Sequence, residues 1–175
     1  MRVKKREYFI IDGYNVINAW PELMALRDNL AYARDRLIDI MAEYGAFEHY
    51  DITIVFDALF VVGNESYEQI NQHLAVVFTD EGETADSYIE KFAYQLVREG
   101  KEVYVVTSDG TEQSVILGAG AYRIPSAEML RNVKKTKKKI ADEYTQPKHK
   151  VVRSELGGRI NDDIAKKLDI LRKKH

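Results

Sequence analysis

The chain has 175 residues, of which 45% are hydrophobic and 31% are charged, as is usual for soluble globular proteins. It contains no cysteine, which excludes disulfides, thiolate metal sites and cysteine nucleophiles, and its four histidines lack the spacing of a zinc site. Its first apolar stretch is too short for a signal peptide, and no run approaches the roughly 20 apolar residues of a membrane span. We therefore expect a cytoplasmic protein without a membrane partner, built as one domain with an appendage.

Charge is distributed unevenly along the chain. Residues 1–130 carry 11 Lys and Arg against 22 Asp and Glu, a net charge of −11, whereas residues 131–175 carry 15 against 6, a net charge of +9. This difference favours a polyanionic partner near the C-terminal segment, although a run of lysines is more commonly a solvated helix face. We predict an acidic domain at residues 1–130 and a basic helical extension at residues 131–175.

Short apolar runs alternate with helical periods along the acidic part of the chain. Strands are predicted at Tyr8–Ile11, Ile52–Phe56, Leu74–Phe78 and Val103–Thr107, with a short fifth at Ala121–Ile124. Helices are predicted at Leu30–Tyr44, Thr84–Arg98, Thr111–Leu117, Ala127–Tyr144 and Asn161–Arg172. Residues 63–73 show no clear period. The alternation predicts an α/β fold with a mostly parallel sheet.

Acidic residues follow three of the predicted strands at the point where each strand ends. They are Asp12, Asp57 and Asp109, and a fourth acid, Asp86, lies in the first turn of a predicted helix. Taken singly, each is more often a turn residue or a partner of the helix dipole. Because ligands bind at the carboxyl edge of open α/β sheets, we expect the four acids to converge there.

Clustered carboxylates repel one another, so they stay ionised only if a cation lies among them. With oxygen ligands alone, the cation is expected to be Mg²⁺ or Mn²⁺, and such a site suits hydrolysis of a phosphodiester. Other phosphate chemistries fit less well. The chain has no P-loop and no glycine-rich turn after the first strand, and Tyr14 stands where an aspartyl phosphatase would carry its second Asp.

Three segments, "IIDGYNVI", "ETADSYIEKFA" and "VVTSDGTEQ", resemble the NYN domains, a branch of the PIN-like metal-dependent ribonucleases, and the longer stretch "DGYNVINAWPEL" is similar to the YacP-type bacterial subgroup. The resemblance covers residues 8–130. It implies a PIN-like three-layer α/β/α sandwich and a divalent-metal-dependent endoribonuclease. For this subgroup it also implies action on mRNA in a ribosome-associated setting. We further expect a monomer or a weak dimer.

The resemblance assigns the catalytic and metal-binding roles to Asp12, Asp86 and Asp109, with Asp57 or Glu112 as a further metal ligand. The supporting residues are Asn15, Thr107, Ser108, Thr111 and Glu83. Asn15 either orients Asp12, touches phosphate or closes a local turn. Thr111 replaces an Asp that many NYN domains carry, so the number of metal ions stays open. Tyr14 and Trp20 either stack on bases or pack in the core.

The basic segment predicts contacts with the RNA backbone, which give affinity and salt dependence but little sequence readout. The residues concerned are Arg131, Lys134, Lys135, Lys137, Lys138, Lys139, Lys148, Lys150 and Arg153. The departure at Thr111 leaves a second hypothesis, a catalytically weak or inactive PIN-like module that binds RNA or the ribosome. A metal-dependent nuclease acting on DNA is a third.

Overall fold

The computed structural model describes residues 6–58, 67–108 and 120–145. Within these residues one sheet holds six strands, namely β1 (Glu7–Asp12), β2 (Asp51–Phe56), β3 (Tyr67–Asn71), β4 (Leu74–Phe78), β5 (Glu102–Thr107) and β6 (Tyr122–Pro125). The helices of the same residues are α1 (Gly13–Ala19), α2 (Pro21–Met24), α3 (Leu30–Glu48), α4 (Ala85–Arg98) and α5 (Ser126–Thr145).

The strands lie in the order β3-β4-β2-β1-β5-β6. All neighbouring strands are parallel except β3 and β4, which pair antiparallel. The predicted mostly parallel sheet is therefore confirmed. The chain moves from β1 to one side of the sheet and later crosses to the other side to form β5. The ends of β1 and β5 thus meet at the point where the direction of winding changes, which is the usual ligand site of such sheets.

The two faces of the sheet are buried under different helices, so the molecule has three layers. Successive strand residues point to opposite faces, and Ile10 and Ile11 are both fully buried in different cores. One core packs residues of α1, α2, α3 and α5 against the sheet, and the other packs α4 against the opposite face. The near-continuous apolar strands of the sequence are explained by this double coverage.

Local signals set the helix boundaries. The side chain of Thr84 accepts from the backbone amide of Ser87 at 3.2 Å and caps α4, as its position in the sequence predicts. Asn29 caps α3 in the same way, at 3.1 Å from the amide of Tyr32. α3 runs four residues beyond its predicted end, to Glu48, and stops where His49 takes a left-handed conformation with φ of 62°.

Three elements differ from the sequence prediction. β3 lies in the segment without a clear period, because it is an exposed polar strand at the sheet edge and one of its faces lacks a core to mark it. α1 and α2 are short helices in the segment between the first predicted strand and Leu30, where no element is predicted. The helices predicted at Thr111–Leu117 and Asn161–Arg172 lie outside the described residues, and the domain boundary after residue 130 stays a prediction.

In the described ranges no helix is long and apolar enough to span a membrane.

Candidate active site

Three adjacent strands bring polar side chains to one edge of the sheet. Asp12 is the last residue of β1, Asp57 directly follows β2, and Ser108 directly follows β5. β1 lies between β2 and β5 and pairs with both. Six residues separate the end of β4 from the first turn of α4, which contains Asp86. As the sequence predicts, Asp12 and Asp57 thus lie at the ends of two adjacent parallel strands.

Asp12 is buried, with 4% of its surface exposed, and is the N-cap of α1. Its carboxylate accepts a hydrogen bond from the backbone amide of Asn15 at 3.4 Å and another from the Asn15 side-chain amide. The hydroxyl of Ser108 donates to the side-chain oxygen of Asn15. Asn15 thus orients Asp12, and it links the end of β1 to the end of β5.

The carboxyl group of Asp12 titrates above its ordinary pKa. Burial is the main cause of the raised pKa, the hydrogen bonds from Asn15 oppose it, and the negative charges of Asp86 and Asp57 add to it. Because Asp86 and Asp57 both act on Asp12, the three acids share one electrostatic environment. A buried carboxylate that is under the influence of two other acids would be stabilised by a bound cation.

The donor chemistry at this edge fits a hard divalent cation, since Asp12, Asp57 and Asp86 offer carboxylate oxygens and the sequence has no cysteine. Within residues 6–58, 67–108 and 120–145, no three acidic or histidine side chains come close enough to hold an ion by themselves. Asp109, the third predicted ligand, lies outside the described residues, as do Thr111 and Glu112.

Two further predicted site residues, Thr107 and Glu83, lie within the described residues. Thr107 is a buried residue at the end of β5, next to the exposed Ser108. Glu83 accepts from the Nζ atom of Lys91 on α4 at 2.7 Å, and this pairing ties its carboxylate to α4.

Gly13 stands between Asp12 and α1 for a steric reason. A Cβ atom there would lie 2.9 Å from Cζ of Phe56 and closer still to two other ring carbons. The end of β2 therefore approaches the start of α1 so closely that only glycine fits. Gly13 thus makes room at this edge and is the first residue of α1.

The two aromatic candidates behave differently. Trp20 is 1% exposed and its indole nitrogen donates to the carbonyl of Ser126 at 2.7 Å, so it belongs to the core. Tyr14 is half-buried, and its hydroxyl accepts from Nη1 of Arg34 at 3.0 Å. Arg34 was missed by sequence reasoning, because a lone arginine on an amphipathic helix carries no local signal of its position in the fold.

The basic helix α5 starts at the acidic edge and runs toward the opposite edge. Its buried stripe consists of Ser126, Met129, Val133 and Thr136, and the described lysines are exposed or half-exposed around the rest of the helix. Near the end of α3, Glu48 accepts from Thr136 at 2.5 Å and from Lys139 at 3.3 Å. Glu22 on α2 has a lowered pKa, chiefly through Arg36, with Lys137 and Lys134 adding to the effect. Lys148, Lys150 and Arg153 lie outside the described residues.

Comparison with known proteins identifies relatives of the whole chain. The family described as "YacP-like NYN domain" matches residues 9–173. A protein of Bacillus subtilis (strain 168) named "Uncharacterized protein YacP" is 44% identical over 135 residues, which cover 77% of this chain and 79% of that protein. The chain is similar to the crystal structure of Rae1 (YacP) from Bacillus subtilis, with 37% sequence identity and a TM-score of 0.68. The match covers 96% of this chain and 95% of that one. A mutant of the same protein is 40% identical with a TM-score of 0.66, over 78% and 80% of the two chains.

These similarities confirm the PIN-like fold and suggest a nuclease or RNA-related function. The acids at the carboxyl edge lie inside the matched range, as does all of α5. Because the family match covers nearly the whole sequence and a relative is 44% identical over most of it, the chain belongs to the YacP-like NYN domain family.

Proposed function

We propose that the chain is an endoribonuclease that hydrolyses RNA phosphodiester bonds with the help of Mg²⁺ or Mn²⁺. The observation that carries the proposal is the state of Asp12, a buried carboxylate at the end of the central strand whose pKa is raised by burial and by the charges of Asp86 and Asp57. A purely structural N-cap has no need of two further acids around it.

The chain's own residues prepare this carboxylate for a metal. The two hydrogen bonds from Asn15 hold Asp12 at the N-terminus of α1, and Ser108 fixes the orientation of the Asn15 amide. Partners of this kind normally keep a metal ligand in one orientation. Asp12 and Asp86 would contribute ligands, together with Asp109 and with Asp57 or Glu112 as a fourth acid. When bound, a divalent ion supplies a nucleophilic hydroxide near neutral pH and stabilises charge on the leaving oxygen.

RNA is the proposed substrate because the family suggests an RNA-related nuclease and because the extension carries a net charge of +9. The exposed lysines of α5 suit backbone phosphates, which are read without regard to sequence. The proposed target is mRNA, in a ribosome-associated setting, in the cytoplasm, with the protein acting as a monomer or a weak dimer.

The test compares RNA cleavage by the wild-type protein and by Asp12→Asn, with Mg²⁺ or Mn²⁺ present and after chelation. Both free RNA and translating ribosomes are supplied as substrates, so that a need for the ribosome does not hide activity. Asp39→Asn, an exposed acid on α3, serves as the matched control. We expect loss of cleavage in Asp12→Asn alone. Equal activity of Asp12→Asn and wild type in every format would refute the proposal.

The binding-module hypothesis is separated by two further variants. If the chain only holds RNA or a ribosome, charge reversal at Lys134, Lys135 and Lys138 removes function, whereas Asp109→Asn leaves it intact. If it is a nuclease, Asp109→Asn abolishes cleavage while RNA binding persists. Competition between RNA and DNA substrates tests the hypothesis of a DNA nuclease.

A further inference from the structure

A phosphate that approaches the carboxyl edge of the sheet meets a strongly negative surface. Asp12 is influenced there by Asp86 and Asp57, and residues 1–130 carry a net charge of −11. The basic residues of α5 begin at Arg131 and extend away from this edge, as the contact between Lys139 and Glu48 near the end of α3 shows. Besides a divalent ion held by the acids, a cationic side chain close to them would favour binding of RNA at this edge.

Arg34 is a cation at this edge. Its Nη1 atom donates to the hydroxyl of Tyr14 at 3.0 Å, and Tyr14 comes two residues after Asp12. The carbon of its guanidinium lies 6.0 Å from the centre of the ring of Phe78, the last residue of β4. Both contacts place the guanidinium over the carboxyl ends of the strands, although Arg34 itself belongs to α3.

An aromatic surface supports the guanidinium in this position. The ring of Tyr14 lies 5.0 Å from that of Phe56, and Phe56 stacks on Phe78 at 5.7 Å. Phe56 directly precedes Asp57 in the chain, so this aromatic surface lies next to the acids of the sheet edge.

The guanidinium also has capacity for a ligand. Arginine offers five N–H donors in a fork that matches phosphate, and the described hydrogen bond of Arg34 uses Nη1. Among the described residues, Arg34 forms no ion pair with an acidic side chain, and it is half-exposed. By contrast Arg36, two residues later, is engaged by Glu22 at 2.8 Å.

We propose that Arg34 binds a backbone phosphate of single-stranded RNA next to the acids of the sheet edge, and that Tyr14 is the positioning residue that orients its guanidinium. The inference rests on the proposed function in taking RNA as the substrate. It names a phosphate-binding residue at the acidic edge itself, separate from the lysines of α5.

The test measures binding of a short, fluorescein-labelled, single-stranded RNA of mixed sequence across a range of salt concentrations. All variants carry Asp12→Asn, so that cleavage does not interfere and the result does not depend on catalysis. Adding Arg34→Gln is expected to weaken binding about tenfold and to reduce the slope of log affinity against log salt by about 0.7, as when one phosphate of a single strand is no longer neutralised. Lack of binding by the Asp12→Asn protein, or an unchanged slope, would overturn the proposal.

Arg98→Gln is the matched control, because its guanidinium lies 5.6 Å from the ring of Tyr94 in the last turn of α4, at the opposite edge. Arg98→Gln removes the same charge and a similar cation–π interaction. The slope of log RNA affinity against log salt should equal that of the protein with Asp12→Asn alone. Arg34→Lys keeps a charge without the fork, so it should retain the slope and lose part of the affinity. This variant also keeps the test decisive if Arg34→Gln folds poorly.

Tyr14→Phe tests the positioning role. In the cleavage assay with otherwise wild-type protein, Tyr14→Phe and Arg34→Gln should raise KM more than they lower kcat, and the double variant should be no worse than Arg34→Gln alone. Additive effects of the two substitutions would contradict a role for Tyr14 through Arg34. If Asp12→Asn cleaves normally, the proposed function fails, whereas the salt slope still decides whether Arg34 contacts phosphate.

Discussion

The side-chain amide of Asn15 donates to the carboxylate of Asp12, three residues earlier in the chain, while its carbonyl oxygen accepts from Ser108 at the end of β5. One asparagine thus connects the acid of the central strand to the neighbouring strand that leads toward Asp109. We infer that the geometry of the site depends on this connection as much as on the acids themselves.

Asn15→Ala should lower cleavage by about 10–100-fold, the usual effect of losing the partner of a metal ligand. Asn15→Asp should be more severe, because a fourth negative charge would face Asp12 directly. Asn71→Ala is the control, since the Asn71 side chain accepts from the amides of His73 and Leu74 at 2.8 and 2.9 Å in a turn at the other edge. Equal loss of activity in Asn15→Ala and Asn71→Ala would indicate that both substitutions act by destabilising the fold.

Asp12→Asn should stabilise the fold at neutral pH. The raised pKa of Asp12 means that the folded state binds a proton more readily than the unfolded state does, so stability falls as the pH rises through the folded pKa. Asparagine removes this penalty and is an equally good N-cap. The melting temperature should rise by about 2–4 °C for each kcal/mol by which the free energy of unfolding increases.

The pH dependence of this gain provides the check. The difference in melting temperature between Asp12→Asn and wild type should shrink as the pH falls through the folded pKa, and it should vanish below the ordinary carboxyl pKa of 3.8, where Asp12 is protonated in both states. The exposed Asp39→Asn should show no comparable gain. A gain that is constant with pH would mean that the charge of Asp12 is not its source.

Binding of Mg²⁺ or Mn²⁺ should be visible without any substrate. A ligand that binds only the folded state stabilises it by about 2.7 kcal/mol at a concentration 100 times its Kd. The melting temperature of the wild-type protein should therefore increase on titration with Mn²⁺ and return on chelation. Asp12→Asn should respond much less, and an identical response of both proteins would exclude Asp12 as a ligand.

The lysines of α5 should differ in their contribution to RNA affinity. Charge reversal at Lys135 and Lys138 should reduce the salt slope by about 0.7 for each phosphate of a single strand that the protein no longer neutralises. Lys139→Gln should have a smaller effect, because its Nζ atom already lies 3.3 Å from the carboxylate of Glu48. A larger reduction from Lys139→Gln than from the double reversal would contradict a backbone role for this surface.

The strands that position Asp12 and Asp57 could be predicted closely from sequence, because buried parallel strands are nearly continuous apolar runs. Leu74–Phe78 has the same bounds in the prediction and in the structure, and the Thr84 cap of α4 followed from its residue type. β3 could not be predicted in the same way. It lies at the sheet edge with four of its five residues exposed, so the pattern of its side chains carries little information.

The acids of the candidate site could be proposed from sequence because carboxylates after parallel strands share one edge by topology alone. The contacts of Arg34 could not, since they join α3 to residues on α1 and β4 that are distant in sequence. Likewise the burial of Trp20 under α5 depends on how the layers pack. Sequence thus identified the acids at strand ends and in the first turn of α4, whereas the contacts of Arg34 and Trp20 needed the fold.

The most direct test of the metal-dependent site is anomalous diffraction from crystals of the wild-type protein soaked in Mn²⁺. We predict a peak within coordination distance of the Asp12 carboxylate and of at least one of Asp86 and Asp109, and its loss in Asp12→Asn. Mn²⁺ peaks elsewhere in the wild-type crystal, with none at Asp12, would contradict the account.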